Sequence, residues 1–348
     1  MKKTCERWLS FAFVLWCSCI NQAAATQADT LQVLFIGNSY TFYNDMPSMF
    51  RGMAKAANRP VYVDESTVGG YSLELHLAYR PTVDKILERR WNYVILQEQS
   101  MIPTIPFYRD YSMYPSARQL DAIIKSVGAK TIFFLTWGRK SGGQQTMGYY
   151  SSPVFRDFYQ MQDSLTTAYR RIAAELSAGL CPIGLAWKLA FRADPNVGLW
   201  DGDGSHPSAD GTYLSACTLF AMVFGSTPEG NTYVGLDVDT LKAPYYQELA
   251  YHALQVYGTP TPAYKLWQNY PNPFSRTTTF TFSIPESEFV TMKLYNILGQ
   301  EVATVTSGLK EAGTYDLFFD ARSLSSGVYF YQLQAGIQAA TNRMMIVR

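Results

Sequence analysis

Short apolar runs alternate with longer amphipathic segments from Leu31 to about Tyr257. The runs that predict strands are 33–37, 93–97 and 131–137, and the segments that predict helices are about 46–57, 117–127 and 155–176. This alternation is typical of an α/β domain with a mostly parallel sheet. Because ligands in such sheets bind at the carboxyl ends of strands, polar residues directly after each run are the first candidates for chemistry.

The pattern changes after Tyr257. A proline-rich stretch follows, and from there apolar and polar residues alternate with a period of two, at 280–284, at 290–294 and again near 327–333. This pattern predicts a small all-β, immunoglobulin-like sandwich of about 80 residues. The predicted organisation is therefore an N-terminal segment at 1–25, the α/β domain at 26–258, a linker at 259–267, and the β-sandwich domain at 268–348.

The N-terminus has basic residues, then an apolar run from about Trp8 to Ile20, then small residues up to Ala25. This order predicts a secretory signal peptide. No other run reaches the roughly 18 apolar residues that a membrane span needs, so we expect none in the mature chain. Cys181 and Cys217 would then be the cysteines left after processing, and the sequence leaves open whether they form a disulfide or stay free.

Charge narrows the range of partners. The formal net charge is +1, charged residues make up 16% of the chain, and no cluster of Lys or Arg is present, which argues against nucleic-acid binding. A neutral or weakly charged substrate fits this composition better. With three histidines and no Cys/His spacing, we expect no zinc site and no other metal or cofactor.

Two polar motifs contain the residue types of a serine nucleophile and its base. Ser39 follows the first predicted strand, and far downstream Asp203 precedes His206 by three residues. A serine hydroxyl needs a base to take its proton, and a neutral imidazole needs a carboxylate to hold its tautomer. Either motif alone is more often a turn or a surface loop, but their joint presence favours a Ser-His-Asp arrangement.

Such a site also needs hydrogen-bond donors for the oxyanion of a tetrahedral intermediate. Gly70 offers a backbone N–H, and Gln97 at the end of the second predicted strand, or Gln99 just after it, offers a side-chain amide. The other titratable residues nearby have simpler interpretations: Glu98 as a solvated loop carboxylate, and His76 as a packed or cleft-lining residue. His252 is expected to be an ordinary helix-face residue.

Four blocks, GNSYT, GGYS, LQEQS and DGSHPS, resemble the SGNH branch of the GDSL esterase/lipase superfamily over about residues 31–224. The resemblance implies a flavodoxin-like α/β/α fold and a triad of Ser39, His206 and Asp203. It also implies an oxyanion hole from the N–H groups of Ser39 and Gly70 and from a side-chain amide.

The third block departs from the superfamily, which usually has Gly-x-Asn-Asp there. Ungapped spacing from the strand favours Gln99 as the amide donor. Chains with a GNSYT-type first block tend to read Leu-Gln-x-x-Ser, which favours Gln97. We assign Gln97, with Gln99 as the alternative.

The C-terminal segments LWQNYPNPF (266–274), LYNILGQEVATV (294–305) and SSGVYFYQLQAG (325–336) resemble the C-terminal sorting domain of the type IX secretion system. This implies the type IX machinery as a partner, and release from the cell or attachment to its surface. A carbohydrate-binding sandwich is the alternative.

The sequence thus predicts a secreted serine esterase that removes acyl groups, with acetyl favoured, from an extracellular ester such as an acetylated carbohydrate. Two alternatives remain: an acyltransferase of the same fold, and a non-catalytic cell-surface binding protein.

Overall fold

The computed structural model describes residues 30–257, 264–285, 287–336 and 338–348. The predicted signal peptide, and residues 259–263 of the predicted linker, lie outside these ranges. The described residues form an α/β unit followed by an all-β unit, as the sequence predicts.

A five-stranded sheet with every neighbouring pair parallel organises the first unit. Its spatial order is β2-β1-β3-β4-β7, and its strands are β1 (Leu31–Gly37), β2 (Val61–Thr67), β3 (Tyr93–Leu96), β4 (Lys130–Phe134) and β7 (Gly179–Cys181). This is the flavodoxin-like order. The strands are added first toward one edge of the sheet and then toward the other, and this reversal of strand order occurs between β1 and β3. A ligand is therefore expected where β1 and β3 end. A separate hairpin consists of β5 (Gly143–Met147) and β6 (Tyr150–Phe155).

Helices flank the sheet, which explains why β1 is apolar on both faces: Val33 to Ile36 are at most 1% exposed. The helices are α1 (Ser39–Phe42), α2 (Met46–Ala56), α3 (Leu73–Ala78), α4 (Arg80–Leu87), α5 (Pro106–Tyr108), α6 (Tyr114–Ser126), α7 (Phe158–Leu176), α8 (Ile183–Ala193), α9 (Ala209–Phe224) and α10 (Ala243–Tyr257). The expected α2, α6 and α7 are present. Helix α7 begins three residues later than expected because Asp157 caps it, accepting a hydrogen bond from the Gln160 N–H at 2.9 Å.

The C-terminal unit is a sandwich of two antiparallel sheets, ordered β11-β10-β13-β14 and β12-β9-β8. Its strands are β8 (Lys265–Leu266), β9 (Thr277–Ile284), β10 (Glu288–Tyr295), β11 (Glu301–Lys310), β12 (Gly313–Asp320), β13 (Gly327–Ala335) and β14 (Gln338–Ile346). Phe280, Met292 and Tyr331 lie in its core and are fully buried, which agrees with the predicted alternation.

The polar face of β9 is buried as well. Thr281 is 1% exposed and its hydroxyl donates to Asp316 on the paired strand β12 at 2.9 Å. Asp316 in turn accepts a hydrogen bond from the Tyr257 hydroxyl of α10 at 2.5 Å. This face therefore packs against the α/β unit instead of facing solvent.

His252 takes part in the same contact. Its ring stacks on Tyr270 with centroids 4.9 Å apart, and burial lowers its pKa to about 4 although the charge of Asp316 opposes this. The prediction of an ordinary helix-face histidine was wrong in this respect, because the C-terminal unit covers that face of α10.

Cys181 and Cys217 are both buried free thiols, so no disulfide joins them. Cys217 on α9 instead contacts Met53 on α2, with the two sulfur atoms 4.0 Å apart. Within the described ranges, no helix combines the length and apolar character needed to cross a membrane.

Candidate active site

The turn after β1 places Ser39 at the first position of α1. Asn38 caps this short helix: its side chain accepts a hydrogen bond from the Tyr40 N–H at 3.1 Å and donates to the Tyr71 carbonyl at 2.8 Å. Gly37 is required here because a Cβ at this position would collide with the side chains of Thr41 and Gln97. The turn is thus fixed on both sides of Ser39.

Gln97 lies beneath this turn and is fully buried. Its Oε1 accepts hydrogen bonds from the Asn38 N–H at 2.8 Å and from the Thr41 hydroxyl at 2.9 Å. Its Nε2 donates to the Glu98 carbonyl at 2.5 Å. All three bonds are internal, and Gln97 does not line the pocket next to Ser39. This placement disagrees with its assignment from the sequence as a donor to substrate.

His76 supports the turn from behind. Its Nε2 is 2.8 Å from the Gly37 carbonyl, and its Nδ1 is 2.9 Å from the Thr82 hydroxyl. Burial lowers the pKa of His76, and the hydrogen bond to Gly37 only partly opposes this. A fully buried, hydrogen-bonded imidazole is a packed residue, as the sequence suggested.

Ser39, His206 and Asp203 form one continuous chain of hydrogen bonds. The Nε2 of His206 lies 2.9 Å from the Ser39 hydroxyl oxygen, and its Nδ1 lies 2.5 Å from Oδ2 of Asp203. The other carboxylate oxygen of Asp203 accepts the N–H groups of Ser205 and His206, both at 2.8 Å. The D-x-x-H spacing therefore folds into a single tight turn that aims the imidazole at the serine.

This turn also determines the charge of Asp203. Burial raises the pKa of its carboxyl, but the hydrogen bonds from the His206 ring and from two backbone N–H groups outweigh burial and lower it to about 2. Asp203 is consequently a carboxylate at any ordinary pH and can hold a proton on Nδ1 of His206.

Aromatic residues hold the loop that carries His206. The Trp137 indole donates to the Ser205 carbonyl at 3.0 Å, and the Tyr40 hydroxyl lies 2.7 Å from the Ser205 hydroxyl. The Tyr43 ring stacks on His206 with centroids 4.8 Å apart, and its hydroxyl donates to Asp201 at 2.6 Å. Of these, Tyr40 and Tyr43 are close to Ser39 in sequence, so one segment positions both the serine and the imidazole.

A pocket of about 310 Å³ opens next to this chain of hydrogen bonds. Its lining residues are Asn38, Ser39, Tyr40, Gly70, Gln99, Ser100, Arg139, Asp203, Ser205 and His206. Gly70 has a φ of +74°, which glycine adopts without strain. A larger depression of about 740 Å³ is lined by residues 87–92 and 126–128, just before β3 and β4 begin, at the opposite end of the strands.

Gln99, the alternative amide, does reach the pocket. Its Oε1 accepts the N–H groups of Met101 at 2.7 Å and Ile102 at 3.3 Å, which fixes the orientation of the amide. Its Nε2 has no hydrogen-bond partner among the described residues, so this NH₂ group is free to donate to a ligand.

Glu98 is fully buried, so the prediction of a solvated loop carboxylate was wrong. Its Oε1 accepts the N–H groups of Leu73 at 3.1 Å and Gln99 at 2.6 Å, joining the start of α3 to the loop after β3. Burial raises the pKa of Glu98 to about 8, with the two backbone hydrogen bonds opposing the shift and the charge of Glu74 adding to it.

Arg139 is a pocket residue that the sequence analysis did not identify. It comes two residues after the apolar run 131–137, at a strand-end position of the kind that the fold favours for ligand contacts. Its position after a predicted strand was the one feature of the sequence that could have identified Arg139 as a pocket residue. Among the described residues, no group of three or more His, Cys, Asp or Glu side chains could hold a metal ion.

The α/β unit is similar to several solved structures. A DUF4886 family protein from Bacteroides uniformis is 18% identical over 66% of this chain and 97% of its own, with a TM-score of 0.53. A candidate SGNH hydrolase from Slackia heliotrinireducens is 25% identical over 56% of this chain and 100% of its own, with a TM-score of 0.45. An acetyl xylan esterase is 13% identical over 56% of this chain and 100% of its own, with a TM-score of 0.43. A search of curated proteins gave no match.

The C-terminal unit matches a protein-family model directly. Residues 268–347 match the secretion system C-terminal sorting domain. This match confirms the resemblance found in the sequence and supports secretion or a cell-surface location for the protein.

Proposed function

We propose that this protein is a secreted serine esterase that hydrolyses small acyl esters, with acetyl esters of extracellular carbohydrates as the favoured class. The observation that carries the proposal is the hydrogen-bonded chain from Ser39 through His206 to Asp203, which borders a pocket at the carboxyl end of the sheet. Ser39 is 167 residues from His206 along the chain, and the three polar groups meet there in the order that nucleophilic catalysis needs.

In the first half of the reaction, Oγ of Ser39 bonds to the ester carbonyl carbon while its proton passes to Nε2 of His206. The carbonyl π electrons move onto oxygen and give a tetrahedral intermediate. When that intermediate collapses, the bond to the alcohol oxygen breaks, and the leaving alcohol takes the proton from His206. Asp203 stays ionised throughout and stabilises the imidazolium.

We assign the oxyanion donors to the N–H groups of Ser39 and Gly70 and to Nε2 of Gln99. Gln99 replaces Gln97 in this role because its NH₂ group is unpartnered and lines the pocket, whereas both ends of the Gln97 amide are occupied inside the protein. A donor of this kind contributes about 3 to 4 kcal/mol to transition-state stabilisation.

In the second half, His206 takes a proton from water, whose oxygen attacks the acyl carbon. When the second tetrahedral intermediate collapses, the bond between the acyl carbon and Oγ of Ser39 breaks, Oγ takes the proton back from His206, and a carboxylic acid is released. Each step uses groups of this chain and water. The small volume of the pocket favours a short acyl group, and the sorting domain supports an extracellular substrate. A signal peptide at residues 1–25 and passage through the type IX machinery belong to the same proposal.

The test measures hydrolysis of 4-nitrophenyl acetate by the chain from residue 26 onward, beside Ser39→Ala and a matched surface control, Ser126→Ala. We expect Ser39→Ala to reduce the rate at least about 10³-fold and Ser126→Ala to match the parent. Equal background rates in all three proteins would overturn the esterase proposal and favour a non-catalytic binding protein. Transfer of the acetyl group to an added sugar hydroxyl in preference to water would identify an acyltransferase.

A further inference from the structure

Arg139 brings a positive charge to the wall of the pocket beside Ser39. Its Nε donates to Oε1 of Gln145 at 3.1 Å, and it forms no ion pair with any residue that the structure describes. The two terminal NH₂ groups of the guanidinium have no protein partner within the described ranges. An arginine that borders an active-site pocket without a carboxylate partner has its charge available to a ligand.

The contact that orients Arg139 is itself built into the fold. Gln145 is 5% exposed and lies on β5 of the hairpin. Its side-chain NH₂ donates to the Gly142 carbonyl at 3.2 Å, and its backbone N–H donates to the Ser152 hydroxyl at 2.9 Å. A neutral, buried amide therefore holds the guanidinium in place without neutralising it. A carboxylate at position 145 would have cancelled the charge.

We propose that Arg139 is a specificity-determining residue that binds a carboxylate on the ester substrate, so that the preferred substrates are anionic esters. This inference rests on the proposed esterase function. Arginine presents a planar fork of N–H donors that matches a carboxylate with two parallel hydrogen bonds, and such pairs are short and strong.

Electrostatics inside the pocket are compatible with an anionic group near Arg139. Asp203 is the acidic residue among those that line the pocket, and its two oxygens are already engaged by His206 and by backbone N–H groups. The sequence favoured a neutral or weakly charged substrate because the net charge is near zero. The net charge of the whole chain does not reveal one cationic side chain, Arg139, at the wall of the pocket.

The carboxylate has two chemical sources, and they are distinguished with matched substrate pairs. For the alcohol side, acetate release is compared between acetylated oligogalacturonides and the same compounds with their carboxyl groups methylated. For the acyl side, 4-nitrophenyl hemisuccinate is compared with neutral 4-nitrophenyl butyrate. The quantity measured is the ratio of kcat/KM for the anionic substrate to kcat/KM for its neutral partner.

We expect the parent protein to prefer the anionic member of one pair, and Arg139→Gln to reduce that ratio about 10- to 100-fold. Arg139→Lys keeps the charge without the fork and should give an intermediate ratio. Lys140→Gln is the matched control, because this neighbouring cation is exposed and outside the pocket, and it should keep the parent ratio. No anionic preference in either pair, or an equal ratio in the parent and Arg139→Gln, would overturn the proposal.

Binding to Ser39→Ala separates this inference from the esterase proposal. Calorimetric titration with trigalacturonate and with neutral galactotriose requires no turnover. If Arg139 binds a carboxylate on the alcohol side, trigalacturonate binds more tightly than galactotriose, and the additional Arg139→Gln change removes the difference. That result would stand even if no ester were hydrolysed. Equal binding, together with no preference for the hemisuccinate, would reject the carboxylate site.

Discussion

The side-chain oxygen of Gln97 accepts a hydrogen bond from the backbone N–H of Asn38 at 2.8 Å, directly beneath the turn that carries Ser39. Two residues later, Gln99 turns the other way and lines the pocket. Two glutamines of one short loop therefore have separate tasks. Gln97 stabilises the turn that carries Ser39, and we propose that Gln99 contacts the reacting carbonyl oxygen.

This division of roles predicts different effects for alanine substitutions at the two glutamines: loss of activity at Gln99 and loss of stability at Gln97. Gln99→Ala should lower kcat about 10²- to 10³-fold, because an oxyanion donor is lost, with little change in the unfolding midpoint. Gln97→Ala should lower the free energy of unfolding by about 2 to 4 kcal/mol, because it leaves a cavity and unsatisfied buried groups. Ester hydrolysis and urea unfolding measure the two effects. Loss of activity in Gln97→Ala at unchanged stability would contradict the assignment.

The sequence predicted the α/β order, the small β-sandwich and the segments that bring Ser39 and His206 together. These features depend on local periodicity and on strand ends, and both are visible along the chain. Whether Gln97 or Gln99 faces the pocket depends on how the chain leaves β3. Residues two apart in a regular strand point the same way, so the different directions of these two glutamines arise in the irregular backbone after Leu96, which the period of a strand does not describe.

Contacts between distant segments account for the other differences. Glu98 is buried because the start of α3 covers it, and a lone carboxylate between two glutamines gives no sign of that cover. The polar face of β9 is buried because the sandwich docks against α10. A period of two describes one strand's faces but carries no information on what packs against them.

A second prediction concerns the carboxylate of the hydrogen-bonded chain. Asp203→Asn keeps the shape of the side chain but removes the charge that fixes the His206 tautomer, so kcat should fall at least about 10³-fold. Because the folded pKa of Asp203 is about 2, below its ordinary 3.8, its stabilising effect is present above about pH 4 and disappears as pH falls through 2. Activity at pH 5 to 8 should therefore show no step from this group.

The control for this substitution is Asp201→Asn. Asp201 lies on the same loop as Asp203 and accepts a hydrogen bond from the Tyr43 hydroxyl, but it does not contact the His206 ring. The Asp201→Asn substitution should change kcat less than about 10-fold, since exposed polar contacts contribute little to holding the loop in place. If both variants lose activity equally, the loss reflects the shape of the loop and not the charge on Asp203.

A third prediction follows from the burial of Glu98. Its folded pKa of about 8 exceeds the ordinary 4.5, so between these values the folded protein holds a proton that the unfolded chain has released. The free energy of unfolding should therefore fall as pH rises from about 4.5 to 8, by up to about 5 kcal/mol. Glu98→Gln keeps an acceptor for the Leu73 and Gln99 N–H groups and should flatten this dependence.

Urea unfolding of the parent and Glu98→Gln at pH 5, 6.5 and 8 measures the slope. Glu74→Gln serves as the control, because Glu74 is exposed and near Glu98, and it should leave most of the slope in place. A parent protein that is as stable at pH 8 as at pH 5, or more stable there, would show that Glu98 is ionised in the folded state at neutral pH.

The last prediction concerns how the sorting domain docks. Asp316 is 5% exposed in its side chain, accepts the Tyr257 hydroxyl, and lies 3.8 Å from Arg192 and 4.0 Å from Lys188 of α8. Removing a buried acceptor that faces cations leaves those cations uncompensated. Asp316→Ala should therefore weaken docking by about 2 to 4 kcal/mol. Hydrogen exchange should speed up in peptides from both α10 and β12.

Asp320→Ala is the matched control on the same strand. Asp320 pairs with Arg322 at 2.8 Å and with Arg276 at 3.9 Å at the surface, where an ion pair contributes about 1 kcal/mol or less. It should leave exchange in α10 unchanged. Faster exchange confined to β12 in Asp316→Ala would mean that Asp316 stabilises the sandwich alone. If exchange in α10 also becomes faster, Asp316 contributes to the contact between the two units.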